Sequence, residues 1–170
     1  MRSKMSIAGH PLHPMLVSIP IGLFGWALLA DIVFAASGRT HEWYSIAFWS
    51  GIAAIVTALL AALPGFGDYL TLAVKSDARG MATAHMLLNL TVVALFFIAM
   101  LLMLGDGATD GGRQAAVLIL HAAGVGLLLV SGWLGGEMVF RHHLAMIPDD
   151  ADLERSEQAH HELHPHGASH

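Results

Sequence analysis

Twelve histidines against eight lysines and arginines define the chemistry open to this 170-residue chain. Five of them, His160, His161, His164, His166 and His170, crowd the C-terminal tail, and His41 stands between two apolar runs. The other six, His10, His13, His85, His121, His142 and His143, border or interrupt long apolar segments. An ionisable side chain is costly to bury there, and marks a functional candidate. Imidazole in that setting can ligate haem or a transition metal, carry a proton, or hydrogen-bond across a helix bundle. The chain has no cysteine, which removes disulfides, thiolate nucleophiles, Cys-ligated zinc, iron–sulfur clusters and covalent c-type haem.

Spacing sorts these histidines into two depths. His10 and His13 belong to Gly9-His10-Pro11-Leu12-His13-Pro14. Pro14 suits the first turn of a helix, where its missing N–H costs nothing, so both histidines are expected at the mouth of a first helix. His85 falls about one turn into a third apolar run, Asp68 closes the second, and Glu137, His142 and His143 close the fourth. One level thus gathers His10, His13, Asp68 and His85, with Glu137, His142 and His143 as further members. Polar helix ends at an interface would collect similar residues without any site. Asn89 lies one turn from His85 on the same face, placed to orient the imidazole or hold a water.

The second depth centres on His121. Its face continues through Gly124, Leu128, Ser131, Gly132 and Gly135 and is expected to point into the bundle. Asp31, Met100 and Met103 fall at similar depth. Asp31 follows His13, and Met103 follows His85, by 18 residues, five whole helical turns. The plainer reading makes Asp31 a hydrogen-bond partner of His121 and the methionines core filler. Glu137 follows His121 by 16 residues, which sets it on the opposite face of a straight helix unless Gly135-Gly136 bends it.

The elements that must position these residues are four apolar runs, Met15–Ala36, Trp43–Leu63, Met81–Leu104 and Ala115–Leu134. Each has the length a helix needs to cross about 30 Å of hydrocarbon, and helix is the form in which a lone segment satisfies its own backbone in lipid. Composition agrees. Residues are 55% hydrophobic and 12% charged, too few charges to cover an ordinary soluble domain. Ser37-Gly38-Arg39, Pro64-Gly65-Phe66-Gly67-Asp68 and Gly105-Asp106-Gly107 are expected to end the first three runs. Trp43, Trp49 and Trp133 lie near run ends, as an aromatic belt would. A cleaved signal peptide ending at Phe34-Ala35-Ala36-Ser37 is the alternative for the first run, but it is long for one and Asp31 interrupts it. Gly132 and Gly136, and the Ala54, Ala58 and Ala62 stripe, suit helix contacts.

Charge orients the bundle. Arg2, Lys4, Lys75, Arg79, Arg141 and Arg155 fall on one side, Arg39 and Arg113 on the other, which predicts both termini in the cytoplasm. The expected fold class is all-α, a four-transmembrane-helix bundle over residues 1–147. An acidic, His-rich tail over 148–170 is expected to be disordered. The tail holds six of the acids and one base, Arg155, leaving a neutral body. With no basic patch, nucleic acid is not an expected partner. No serine sits in a nucleophile motif, and Gly105, Gly107, Gly111 and Gly112 lack the lysine and strand–helix setting of a phosphate loop.

The H-P-L-H-P opening, Gly67-Asp68, His85 and Gly132-Trp133-Leu134-Gly135-Gly136-Glu137-Met138-Val139 resemble domain-of-unknown-function family 2231, over roughly residues 8–147. The resemblance implies a small four-span protein of the bacterial inner membrane. It also implies association with Rieske-type iron–sulfur proteins, and so electron transfer, but no established activity. Two cofactor chemistries fit the residues. Haem b would take His85 with His13 or His10, and a second haem would use His121 with Met100 or Met103, or as a single ligand. A non-haem site of His10, His13, His85 and Asp68 would suit Zn, Fe, Ni, Mn or Cu. Asn89, Asp31 and Glu137 are expected as supporting residues. A third reading is a structural helper subunit whose histidines only cap and cross-link helices. Partners are the lipid bilayer, a Rieske-type or other redox protein, or a second copy of the chain.

Overall fold

A computed structural model describes residues 5–8, 10–38, 40–71, 77–105, 111–142 and 158. It is a four-span helical bundle with one short β-hairpin at its N-terminal end. β1 (Ser6–Ile7) pairs antiparallel with β2 (His10–Pro11), Ile7 opposite His10. Then come α1 (Leu12–Leu16), α2 (Ser18–Ala36), α3 (His41–Tyr69), α4 (Asp77–Met103) and α5 (Gly111–His142). α1 and α2 form one span, Leu12–Ala36, and all four spans are long and apolar enough to cross a membrane.

Local chemistry explains the boundaries. The first span is interrupted at Val17 because Pro20 has no N–H to give the Leu16 carbonyl. Gly38 follows its end with φ +76 and Gly105 follows α4 with φ +68, the left-handed conformation that glycine adopts without strain after a helix. Arg39, Asp106 and Gly107, expected in these turns, lie outside the described residues, as does the tail apart from Gln158. The helix closes beside Asp68, as expected, but Pro64 does not stop it. α3 continues through a buried Pro64 to Tyr69. A proline deprives one carbonyl of its partner, but a spanning helix tolerates this where neighbouring helices supply substitutes.

Each span packs against its sequence neighbours, and α5 closes the ring on α2. Every helix turns about one residue per turn inward, as in Phe24, Ala27, Asp31 and Phe34 on α2 or Gln114, Val117, His121 and Gly124 on α5. Contacts rest on alanine: Ala27, Ala30, Ala47, Ala54, Ala61 and Ala99 are buried, which lets backbones approach closely. Large apolar side chains such as Leu29, Leu60, Phe97 and Leu129 point outward, towards lipid.

The small-residue motifs divide. Ala54 is buried and Ala58 packs beside it, while Ala62 is exposed. Gly132 and Gly136 do not pack in the bundle, since an added Cβ at either meets nothing within 4 Å. Gly124, Ser131 and Gly135 carry the inner face of α5 instead. At Gly124 a Cβ would stand 2.7 Å from Phe96 Cε2, and Phe96 is fixed between Phe24 and His121. Gly124→Ala should therefore destabilise by about 1–3 kcal/mol through overpacking. Gly126→Ala, where nothing lies within 4 Å, should leave the thermal unfolding midpoint of the detergent-solubilised protein unchanged or slightly raised.

Candidate functional site

The N-terminal hairpin lies against the end of α3. The Met5 N–H donates to Asp68 Oδ1 at 3.2 Å, the Leu12 N–H donates to the Met5 carbonyl, and a Cβ on Gly67 would reach Met5 Cγ at 2.9 Å. This strap starts the first helix at Leu12, so His13 enters the bundle from its first turn. His10 stays on β2, exposed.

His13 meets α3. Its Nδ1–H donates to the Ala61 carbonyl at 2.8 Å, and its ring lies over Gly65, where a Cβ would sit 2.7 Å from Nδ1. Gly65 makes room for this contact, since a side chain there would occupy the space the ring takes.

His85 meets α5 in the same way. Its Nδ1–H donates to the Ser131 carbonyl at 2.8 Å, with Ser131 Oγ at 3.0 Å. Its ring lies on Gly135, where a Cβ would come within 3.3 Å of Cε1. Asn89 Nδ2 donates to Ser131 Oγ at 2.6 Å and to the His85 carbonyl at 2.8 Å. Asn89 thus acts on His85 through Ser131.

The two histidine rings are neighbours. Their ring centres are 6.3 Å apart with planes at 90°. A carbonyl can only accept, so each Nδ1 carries a hydrogen, the arrangement that in a neutral ring leaves the lone pair on Nε2. All four spans contribute at this level, through His13, Ala61 and Gly65, His85, and Ser131 and Gly135. Nearby, Tyr69 and Thr83 hydroxyls meet at 3.1 Å and Arg79 lies 4.5 Å over the Tyr69 ring, joining the ends of α3 and α4.

The other expected members lie elsewhere. Asp68 is half-buried at the end of α3, with one oxygen on the Met5 N–H. Glu137 is half-buried two residues beyond Gly135, about 200° round α5 from the side His85 occupies. α5 runs unbroken through Gly135 and Gly136. The side chain of His142 and all of His143 lie outside the described residues. Among the described residues, no group of three or more His, Asp or Glu side chains is placed to hold one metal ion.

His121 is separate. It is buried on α5, its Nδ1 hydrogen-bonded to Asp31 Oδ2, and Phe96 stacks on its ring. Met100 and Met103 are buried in the apolar cluster with Phe34 and Tyr44, Met100 against Gly51 and the Met103 carbonyl accepting the Tyr44 hydroxyl.

Residue types alone left Ser131, Gly65 and the Ala61 carbonyl out of the candidate site. Ser131 and Gly135, one turn apart on the inner face of the fourth span, were the available signal. For Gly65 it was a glycine beside a proline inside an apolar run. A backbone acceptor has no residue-type signal.

Four apolar spans closed around an interior that holds the buried polar side chains define a multi-pass membrane protein. The chain belongs to the family described as predicted membrane protein (DUF2231), which it matches over residues 9–148. Neither the curated proteins nor the solved structures compared with it gave a match.

Ser131→Ala should cost about 1 kcal/mol, because the Asn89 amide loses its side-chain acceptor in a half-buried setting. Asn89→Leu added to Ser131→Ala should recover part of that loss. Unfolding midpoints of the three variants check the coupling.

Proposed function

We propose that the chain is a b-type haem protein of the bacterial inner membrane that carries electrons, and that His13 and His85 would hold the haem. The observation that carries this reading is the neighbouring pair itself. Two imidazole nitrogens about 2 Å from a shared ion, on opposite sides, set their ring centres roughly 6 Å apart, and those of His13 and His85 are 6.3 Å apart. Both rings are held in the tautomer that leaves Nε2 available, by carbonyls of Ala61 and Ser131, the kind of outer support that metal-bound histidines use.

The donor set also favours haem over a bare ion. Zinc and similar ions need three or four protein ligands, and no such group of three is present among the described residues. Haem supplies four nitrogens of its own and asks the protein for two. Bound haem would supply a one-electron couple. The chain's own part is to fix both rings, through Gly65 and Gly135 behind them and the Ser131–Asn89 pair beside His85. The family resemblance implies a Rieske-type or other redox protein as the partner.

The absorption spectrum of the detergent-purified full chain, as isolated and after dithionite, tests this. The expected result is a Soret band with a sharp reduced α-band, lost in His13→Ala and in His85→Ala and kept when residues 150–170 are deleted. A colourless protein from haem-replete cells, or full haem occupancy in both point variants, would overturn it. Gly65→Ala should shift the spectrum or lower haem occupancy several-fold, because its methyl group takes the place of the His13 ring.

A further inference from the structure

The Asp31–His121 pair lies on other turns of the bundle than His13 and His85, and the haem reading makes no use of it. Both side chains are 0% exposed. His121 Nδ1 is bonded to Asp31 Oδ2, while Phe96 of α4 covers the imidazole face at 4.3 Å between ring centres and 17° between planes. Two polar atoms of the pair have no hydrogen-bond partner, His121 Nε2 and Asp31 Oδ1. A buried polar group in that condition is expensive.

The charge count depends on a single proton. With a carboxylate on Nδ1–H and a bare Nε2, the pair carries one net negative charge inside a membrane span, the costly case. One proton added to the Nε2 lone pair, with no bond broken, gives an imidazolium against a carboxylate and no net charge. Among the described residues, the close ionic partner given for Asp31 is His121. From α3, the Tyr44 hydroxyl is committed to the Met103 carbonyl, and Asp31 and Arg113 are the charges acting on that phenol. From α5, Gln114 is buried and uncharged, and Arg113 is exposed, eight residues and so about 12 Å along the axis from His121. α4 presents Phe96, Met100 and Met103, none of them titratable.

We infer that Asp31 and His121 form a proton-binding site within the membrane-spanning bundle, the proton residing on His121 Nε2 and water-class partners meeting Nε2 and Asp31 Oδ1. This inference stands or falls independently of haem.

Nitrogen NMR of the full chain, labelled at its histidines and held in lipid nanodiscs at pH 7.5, is the test. His121 is assigned by the signals missing from His121→Gln. Both His121 ring nitrogens should carry hydrogen in the native chain, and Asp31→Asn should reduce the Nε2–H signal at least tenfold. A bare Nε2 in the native chain would overturn the proposal without reference to any variant. So would an Nε2–H signal that Asp31→Asn leaves unchanged. An Nε2 that never carries hydrogen but shifts on addition of Zn²⁺ would also overturn it, in favour of a metal ligand.

Discussion

Hydrocarbon offers no hydrogen bonds, and the arrangement of this chain follows from that fact. Each polar side chain in a span must be answered from within the protein. Thr57 and Thr91 return to the carbonyls of Ala53 and Leu87, one turn back on their own helices. Tyr44 reaches across to Met103, His13 to Ala61, and His85 and Asn89 to Ser131. Hydrophobic attraction cannot drive spans together in lipid, so close backbone approach does more of the work. Alanines at the contacts and glycines beneath the imidazoles follow from that requirement.

The same constraint governs what residue order makes legible. Four spans can be read from run length because a membrane imposes a minimum on each helix. Two depths of polar residues can be read from the 18-residue spacings, since whole turns preserve both face and level. Pro64 misleads because the rule that proline ends a helix is learned in water, where a freed carbonyl can simply be solvated. His10 and His13 look equivalent by type and spacing. A six-residue hairpin separates them, too short to carry an alternation pattern, and it keeps His10 on a strand while His13 enters a helix. The face of His121, Gly124, Ser131 and Gly135, expected to point inward, is the one α5 turns inward, while the Gly132 and Gly136 pair, which carries the familiar contact motif, packs against nothing in the bundle. One polar residue in phase with small ones marks the inner face more reliably than a small-residue pair alone.

Two histidine loci in one bundle differ in what holds Nδ1. At His13 and His85 the acceptor is a peptide carbonyl, which holds a hydrogen on Nδ1 and turns Nε2 away from that contact. At His121 the acceptor is the side-chain carboxyl of Asp31, itself an ionisable group. One residue type is thereby turned to two chemistries in the same low-dielectric interior. The distinction is made by the outer partner rather than by the histidine, and it survives whatever occupies either locus.

Gly65 shows how a missing side chain becomes a positioning device. Glycine there removes the side chain that would have filled the space beside that turn of α3. The Ala61 carbonyl and the space over Gly65 lie together, and the His13 ring occupies both. The opposite wall repeats the scheme with different means, since Ser131 offers a carbonyl to His85 and Gly135 the space. Neither imidazole is placed by its own rotamer alone; each is seated in a notch cut into the adjoining helix. That is why the two rings, arriving on different spans, are neighbours.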